Sequence, residues 1–99
     1  MPVNKTNPQW RAQTQLVRGG THRSEFAETN EAIFMTSGYV YETAEQAQRA
    51  FKGEEERFIY SRFSNPTVGM FEERMRLLEG ANSCRATATG MAAVWGALA

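Results

Sequence analysis

The segment NPTVGMFEERMRLLEG, residues 65–80, constrains the fold of this chain more than any other stretch. Asn65 is a favoured N-cap, and Pro66 suits the first helical position, where a missing N–H removes no hydrogen bond. Apolar residues then recur at steps of three and four, and Gly80 supplies a left-handed stop at little cost. The pattern predicts a helix with one apolar face (Val68, Phe71, Met75 and Leu78) and a core role for Met70, Met75 and Phe71.

Two shorter helices are predicted upstream. The run WRAQTQLVR, residues 10–18, favours a short helix that Gly19-Gly20 would end. Residues 43–46, Thr-Ala-Glu-Gln, fit a capping box, in which hydroxyl and carboxamide side chains satisfy free amides of the first turn. This second helix should run to about Phe51 and stop at Gly53.

Two other segments lack a clear period. Residues 1–9 are polar with two prolines and are predicted to be a loose terminus. Residues 21–40 scatter apolar side chains among polar ones, which indicates an extended arm anchored at intervals. Such an arm cannot bury its own apolar side chains well, so we expect it to lie on another surface, such as a second subunit. These side chains are Phe26, Ile33, Phe34, Met35 and Tyr39.

The last part of the chain suggests the fold class. SCRATA, residues 83–88, is predicted to be a short strand, Thr89-Gly90 breaks it, and residues 91–99 resume as an apolar helix. The order helix, strand, turn, helix is typical of an open α/β sheet. The expected class is therefore α/β.

Composition excludes several kinds of site. The formal net charge is zero and therefore indicates no nucleic-acid or membrane partner. All eleven acidic residues are glutamates, which excludes aspartate-based calcium loops and Ser-His-Asp triads. A single cysteine and a single histidine leave too few soft ligands for zinc and no internal disulfide, so a cytoplasmic location is expected. No apolar run approaches the roughly 18 residues of a membrane-spanning helix, and no signal peptide is recognisable.

Two features could bind an anion. At Thr89, Gly90 and Met91, a predicted helix N-terminus would present free N–H groups, and the glycine would let a phosphate approach the backbone. Tyr60 and Arg62 lie two apart, so in an extended stretch a phenol and a guanidinium would face one ligand. Either feature also has a purely structural interpretation: a glycine between strand and helix, and an exposed arginine beside a packed tyrosine.

Other reactive side chains are weaker candidates. His22 has no identifiable partner, which is typical of a structural or surface histidine. Cys84 lies in an apolar run and is predicted to be a small buried residue. Lys5 and Lys52 lie in a polar terminus and a charged turn, where nothing would lower the pKa of an amine for Schiff-base chemistry.

Three stretches together carry a family resemblance. EAIFMTSGYVYETAEQAQRAF, YSRFSNPTVGMFEERMRLLEG and ATATGMAAVWGAL occur in this order, at residues 31–51, 60–80 and 86–98. From about Thr14 to Ala99 the chain resembles the N-terminal portion of the Cys/Met-metabolism family of pyridoxal-phosphate enzymes. Within this family its sequence is most similar to the sulfhydrylase branch. The match would cover about the first quarter of a full-length enzyme, so we expect these residues to be part of a longer protein.

The resemblance implies a fold and an assembly. It implies an aspartate-aminotransferase-like fold (fold type I) and a homotetramer built from tight dimers. Residues 1–58 would be the N-terminal arm with short helices, a dimer-interface segment, and residues 59–99 would begin the cofactor-binding large domain. The alternative to an enzyme is a noncatalytic helical module that serves oligomerisation.

The resemblance also implies roles for the two candidate features. Tyr60 and Arg62 would reach the cofactor phosphate of the neighbouring subunit, and Thr89, Gly90 and Met91 would bind the phosphate of their own subunit. Thr89 stands where the family usually has serine. No Schiff-base lysine lies in this chain, so no catalytic residue is assigned and residues 1–99 alone are expected to be inactive.

The implied chemistry is replacement at a γ-carbon. O-succinyl-L-homoserine would lose succinate and take up sulfide to give homocysteine, on the route to methionine, with pyridoxal 5'-phosphate as electron sink. The cystathionine γ-synthase, cystathionine γ-lyase and methionine γ-lyase branches share both features and stay open as alternatives.

Overall fold

The computed structural model describes residue 7 and residues 9–99. Within this part of the chain there are four helices: α1 (Ala12–Arg18), α2 (Ala44–Phe51), α3 (Pro66–Glu79) and α4 (Gly90–Leu98). All four predicted helices are therefore confirmed, with small differences at their ends. The loose terminus expected for residues 1–9 lies mostly outside the described residues.

Helix α3 begins and ends where its sequence specifies. The Oδ1 atom of Asn65 accepts a hydrogen bond from the Thr67 amide at 2.8 Å, and Pro66 occupies the first turn. Gly80 adopts φ +63°, in the left-handed region, and the Ala81 amide donates to the Arg76 carbonyl at 3.0 Å. These bonds satisfy backbone groups that a helix leaves free at its ends.

The buried core of the described residues is small, and its members differ from the prediction. Met70 is only 3% exposed, as expected of a core residue. Phe71, however, is 56% exposed, so its predicted core role is wrong, and Val68 and Leu78 of the same apolar face are each 44% exposed. Periodicity identifies which side chains share a face, but burial depends on what packs there, and this chain leaves much of that face open.

Helix α1 packs against α3 through a close backbone approach. A Cβ atom on Gly19 would lie 2.6 Å from the carbonyl oxygen of Gln15 and 2.6 Å from Cδ1 of Leu77, so only glycine fits without displacing the backbone. Arg74 of α3 closes the contact: its Nε donates to the Gly19 carbonyl at 3.1 Å and its Nη2 to Oγ1 of Thr21 at 2.9 Å. Thr21 is 1% exposed, so its side chain is shielded from water.

Residues 21–40 form the predicted arm. They contain no helix and are anchored at intervals by polar contacts: Glu31 pairs with Arg74, and the Phe34 amide donates to Oγ1 of Thr67 at 2.9 Å. Much of the arm's apolar surface stays exposed, including Phe26, Ile33 and Met35. An arm anchored at intervals is thus confirmed, and its lying on a second subunit stays a prediction.

The strand predicted for residues 83–88 is wrong for the described structure, where this segment joins no β-ladder. A strand needs a neighbouring strand for its backbone hydrogen bonds, and none lies beside this segment. Instead the segment is tied to α3, because Glu72 accepts from the Ala86 amide at 2.7 Å and pairs with Arg85 at 3.7 Å. The α/β class rested on this strand, so the described residues, helices joined by irregular segments, do not confirm it.

Helix α4 is the most exposed element. All of its residues are exposed, and it packs on no other described helix. Its large apolar side chains, Met91, Val94, Trp95 and Leu98, face open space. None of the described helices combines the length and the apolar character that crossing a membrane requires.

Candidate functional site

The segment that carries Tyr60 and Arg62 is a turn, not the extended stretch predicted. The amides of Phe63 and Ser64 both donate to the Tyr60 carbonyl, at 2.9 and 3.1 Å. Tyr60 alone keeps an extended pairing, an isolated antiparallel bridge to Gly38. The alternation of side chains along a strand therefore does not apply after Tyr60.

Tyr60 and Arg62 are nevertheless neighbours on the surface. The guanidinium carbon of Arg62 lies 5.1 Å from the centre of the Tyr60 ring and 5.2 Å from that of Phe63. Within the described part of the chain, Arg62 has no salt bridge, and its side chain is exposed. The turn thus presents a phenol and an unpaired guanidinium together, held by cation–π contact, and this pair suits an anionic ligand.

Ser61 fixes the turn from beneath, a role for which its sequence context carried no signal. Its amide donates to the Ser37 carbonyl at 2.8 Å, and its hydroxyl donates to the Thr36 carbonyl. The same hydroxyl oxygen accepts from Nδ2 of Asn65 at 3.0 Å. The arm, the turn and the start of α3 therefore meet at one side chain.

Thr89 is the N-cap of helix α4. Its Oγ1 accepts from the Ala92 amide at 3.1 Å, which leaves the hydroxyl proton available to donate. The amides of Gly90 and Met91 have no acceptor among the described residues, and a Cβ atom on Gly90 would meet nothing within 4 Å. Two amides and a hydroxyl at a helix N-terminus, with open space at the glycine, fit a phosphate group.

The two sets of donors lie in separate clefts. Thr89 and Gly90 line a cleft with Phe71 on α3, whereas Tyr60 and Arg62 line another against residues 34–37 of the arm. Neither cleft is lined by both donor sets, although Arg62 also lines a further cleft with Arg85 and Ala86, which border the Thr89 cleft as well. This arrangement is compatible with a site completed by a second copy.

The weaker candidates stay weak. Burial lowers the pKa of His22 below its ordinary value of 6.5, so the ring stays neutral near pH 7, and its amide donates to Sδ of Met70 at 3.4 Å. Cys84 is half-buried, and Lys52 lies exposed at the end of α2, while Lys5 is outside the described residues. Among the residues described, no group of three or more potential metal ligands comes together.

Comparisons with known proteins cover the residues of both donor sets. The model of the Cys/Met metabolism PLP-dependent enzyme family matches residues 13–99. O-succinylhomoserine sulfhydrylase from Mycobacterium tuberculosis is 57% identical over 82 residues, covering 83% of this chain and 20% of that protein. The corresponding enzyme from Pseudomonas aeruginosa is 49% identical over 82% of this chain and 20% of its own length. L-methionine gamma-lyase from Porphyromonas gingivalis is 35% identical over 86% of this chain and 21% of its own length.

Proposed function

This chain belongs to the Cys/Met-metabolism family of pyridoxal-phosphate-dependent enzymes, and we propose that it forms the N-terminal part of an O-succinylhomoserine sulfhydrylase. The chain spans about 20% of the length of the sulfhydrylases that it matches. Pyridoxal phosphate is the cofactor of the family. In the proposed reaction, O-succinyl-L-homoserine and sulfide give homocysteine and succinate, a step toward methionine.

One observation carries the choice of reaction. Identity to two sulfhydrylases is 57% and 49%, against 35% to a methionine γ-lyase over a similar share of the chain. The γ-lyase is the alternative within the family. Cystathionine γ-synthase and cystathionine γ-lyase stay further alternatives, because each must hold the same phosphate.

The proposed role of this chain is to bind the cofactor phosphate with donors from two subunits. Thr89, Gly90 and Met91 supply a hydroxyl and two backbone amides from one protomer, and the α4 N-terminus favours negative charge there. Tyr60 and Arg62 of the other protomer add a phenol O–H and a guanidinium. When bound, the cofactor supplies an electron sink, and these residues fix its position.

Three structural proposals accompany this function. The complete protein is a homotetramer of tight dimers with fold type I, which family membership fits. Residues 1–58 are its interface arm, and residues 59–99 begin its large domain. The complete protein is cytoplasmic in this proposal. Residues 1–99 alone are inactive in this proposal, because the resemblance places the Schiff-base lysine of the family outside these residues.

A second function from a different class has one observation in its favour. Met91, Val94, Trp95 and Leu98 are exposed on α4, and an apolar helix of this kind suits oligomerisation. The chain on its own would then act as a helical association module. Absence of pyridoxal phosphate from the natural complete protein would favour this alternative.

The test is the affinity of the complete protein for pyridoxal phosphate in an Arg62→Ala variant. Loss of a charged hydrogen-bond donor costs about 1.5–3 kcal/mol, so we expect the dissociation constant to rise about 10- to 100-fold. Affinity for pyridoxal, which lacks the phosphate, should hardly change.

Arg57→Ala is the matched control. Arg57 also stacks on an aromatic ring, with its guanidinium carbon 4.5 Å from the centre of Tyr41, but it lies outside the proposed site. We expect this variant to keep its affinity for pyridoxal phosphate. Equal affinities in the Arg62→Ala variant and the unmodified protein would refute the proposed phosphate contact, and homocysteine formation from O-succinylhomoserine and sulfide tests the reaction.

A further inference from the structure

We propose that Asn65 is a positioning residue for phosphate binding: its carboxamide holds the turn that carries Tyr60 and Arg62 against the arm, and so places their donors in the neighbouring subunit's site. This inference rests on the proposed function. It concerns a residue that would not itself touch the cofactor.

Asn65 joins three segments through one buried side chain. It is 7% exposed, and its Oδ1 accepts from the Thr67 amide at 2.8 Å, which caps α3. Its Nδ2 donates to the Phe34 carbonyl of the arm and to Oγ of Ser61, both at 3.0 Å. Every polar atom of the carboxamide is therefore used, and the orientation of the amide is determined because a flipped group would set oxygen against the Phe34 carbonyl.

The residue type indicates a role beyond capping. Aspartate or serine at position 65 would cap α3 about as well as asparagine. Neither would supply two further donors, since a carboxylate donates none and a hydroxyl donates one. The arm and the turn both need those donors, so the amide is what the three-way junction requires.

The junction controls the turn directly. Ser61, which Asn65 contacts, stands between Tyr60 and Arg62, and its hydroxyl also donates to the Thr36 carbonyl. Arg62 has no salt bridge among the described residues and is held only by cation–π contact with Tyr60 and Phe63. The direction of its guanidinium therefore depends on the backbone of the turn. If the Asn65–Ser61 bond is lost, the Tyr60 hydroxyl and the Arg62 guanidinium remain, but their positions are less well fixed. Phosphate binding is then weaker although no positive charge is removed.

The experiment measures two dissociation constants in the complete protein, for pyridoxal phosphate and for pyridoxal. Asn65→Asp keeps the cap acceptor and the shape and removes both donors, but it also adds a negative charge that would itself repel a phosphate, so Ser61→Ala, which adds no charge, is measured beside it. If the misaligned donors lose about the free energy of one neutral hydrogen bond, the dissociation constant for pyridoxal phosphate should rise about fivefold. The dissociation constant for pyridoxal should stay within about twofold. A purely structural role would weaken both ligands together or neither. The ratio of the pyridoxal constant to the pyridoxal phosphate constant therefore isolates the phosphate contribution, and loss of that contribution lowers this ratio.

Two further variants keep the test decisive. Ser61→Ala leaves the cap and the Phe34 bond but removes the hydroxyl that accepts from Asn65 and donates to the Thr36 carbonyl. It therefore tests the same junction, serves if Asn65→Asp does not fold, and should lower the ratio similarly. Thr21→Val removes a hydroxyl that is buried at the opposite end of the α3 contact and should leave the ratio unchanged.

The outcomes separate the two levels of the account. A lowered ratio in Arg62→Ala, Asn65→Asp and Ser61→Ala, but not in Thr21→Val, supports the positioning role. A lowered ratio in Arg62→Ala alone overturns the positioning role and leaves the proposed function standing. No change in any variant overturns both, and a fall in Thr21→Val equal to that in Asn65→Asp attributes the effect to general destabilisation and overturns the positioning role.

Discussion

Replacing Arg74 by methionine should release helix α1 from α3. The side chain donates to the carbonyls of Gly19 and Val17 and to Oγ1 of Thr21, and it pairs with Glu31. Helix α1 has seven residues, none fully buried, and a helix of that length is marginal in water by itself. Its attachment therefore depends strongly on this one guanidinium, which methionine replaces with an aliphatic chain of similar reach.

The magnitude follows from which partners water can reach after the change. The Gly19 carbonyl and the Thr21 hydroxyl lie in a buried region, and each loses a charged donor at a cost of about 1.5 kcal/mol. Glu31 is one-third exposed and the Val17 bond is exposed, so water replaces much of both and they add about 1 kcal/mol together. The total is about 4 kcal/mol.

Hydrogen exchange of the complete protein measures this opening. The amides of Gln15 and Gly19 are hydrogen-bonded in the α1 region, at 3.0 and 2.7 Å, and their protection should fall about 100- to 1000-fold. Arg49→Met is the control, because its ion pair with Glu55 is long, at 3.9 Å, and exposed. Unchanged protection of α1 in a folded Arg74→Met protein would refute the reasoning.

Two smaller predictions concern stability. Burial lowers the pKa of His22 below 6.5, so the unfolded chain binds a proton at this ring more tightly than the folded chain does. We therefore expect the free energy of unfolding to fall as the pH drops below 6.5 toward the folded pKa. In a titration of stability against pH, the His22→Gln variant should lack this part of the slope. Gly80→Ala should lower the free energy of unfolding by about 1 kcal/mol, because φ is +63° at this position. Gly69→Ala lies inside α3 with open space around it and should raise the free energy of unfolding by about as much. Urea unfolding distinguishes the two signs.

Local signals predicted the helices well. The ends of α2 and α3 follow from residues that act within one turn: Thr43 Oγ1 accepts from the Gln46 amide at 3.0 Å, and Asn65 and Gly80 act similarly in α3. The carboxamide of Gln46, however, accepts from the Glu42 amide rather than from Thr43, so the capping box is shifted by one residue. Caps can be read from sequence because both partners lie within a few residues of each other.

Features that depend on distant partners could not be predicted in the same way. The strand at 83–88 is absent because a ladder needs a neighbour that the described residues do not provide. Phe71 is exposed for the same kind of reason. Arg74 bonds to residues more than fifty positions away, and no local pattern marks it as an anchor.

The candidate site shows both limits. Tyr60 and Arg62 are neighbours as predicted, but through a closed turn and cation–π contact rather than through strand alternation. Thr89 was predictable as the cap of α4, since a hydroxyl before a helix is a local signal. The roles of Ser61 and Asn65 beneath the turn depend on the arm, some thirty residues upstream, and only the folded chain brings these residues together.

The central claim is that one phosphate is bound by Gly90 of one subunit and Arg62 of the other, and mixed dimers test it most directly. Gly90→Pro removes one amide donor at the first helical position, which tolerates proline, and Thr89 is already extended, as a residue before proline prefers. Arg62→Ala removes the guanidinium. Each variant alone should bind pyridoxal phosphate weakly at every site.

The decisive measurement is a pyridoxal phosphate titration of purified mixed dimers of the complete protein, one subunit carrying Gly90→Pro and the other Arg62→Ala. If the donors come from different subunits, one site holds both lesions and the other holds neither, so each dimer should show one site of unmodified affinity. If both donors come from the same subunit, every site holds one lesion. Mixed dimers with only weak sites would contradict the shared phosphate.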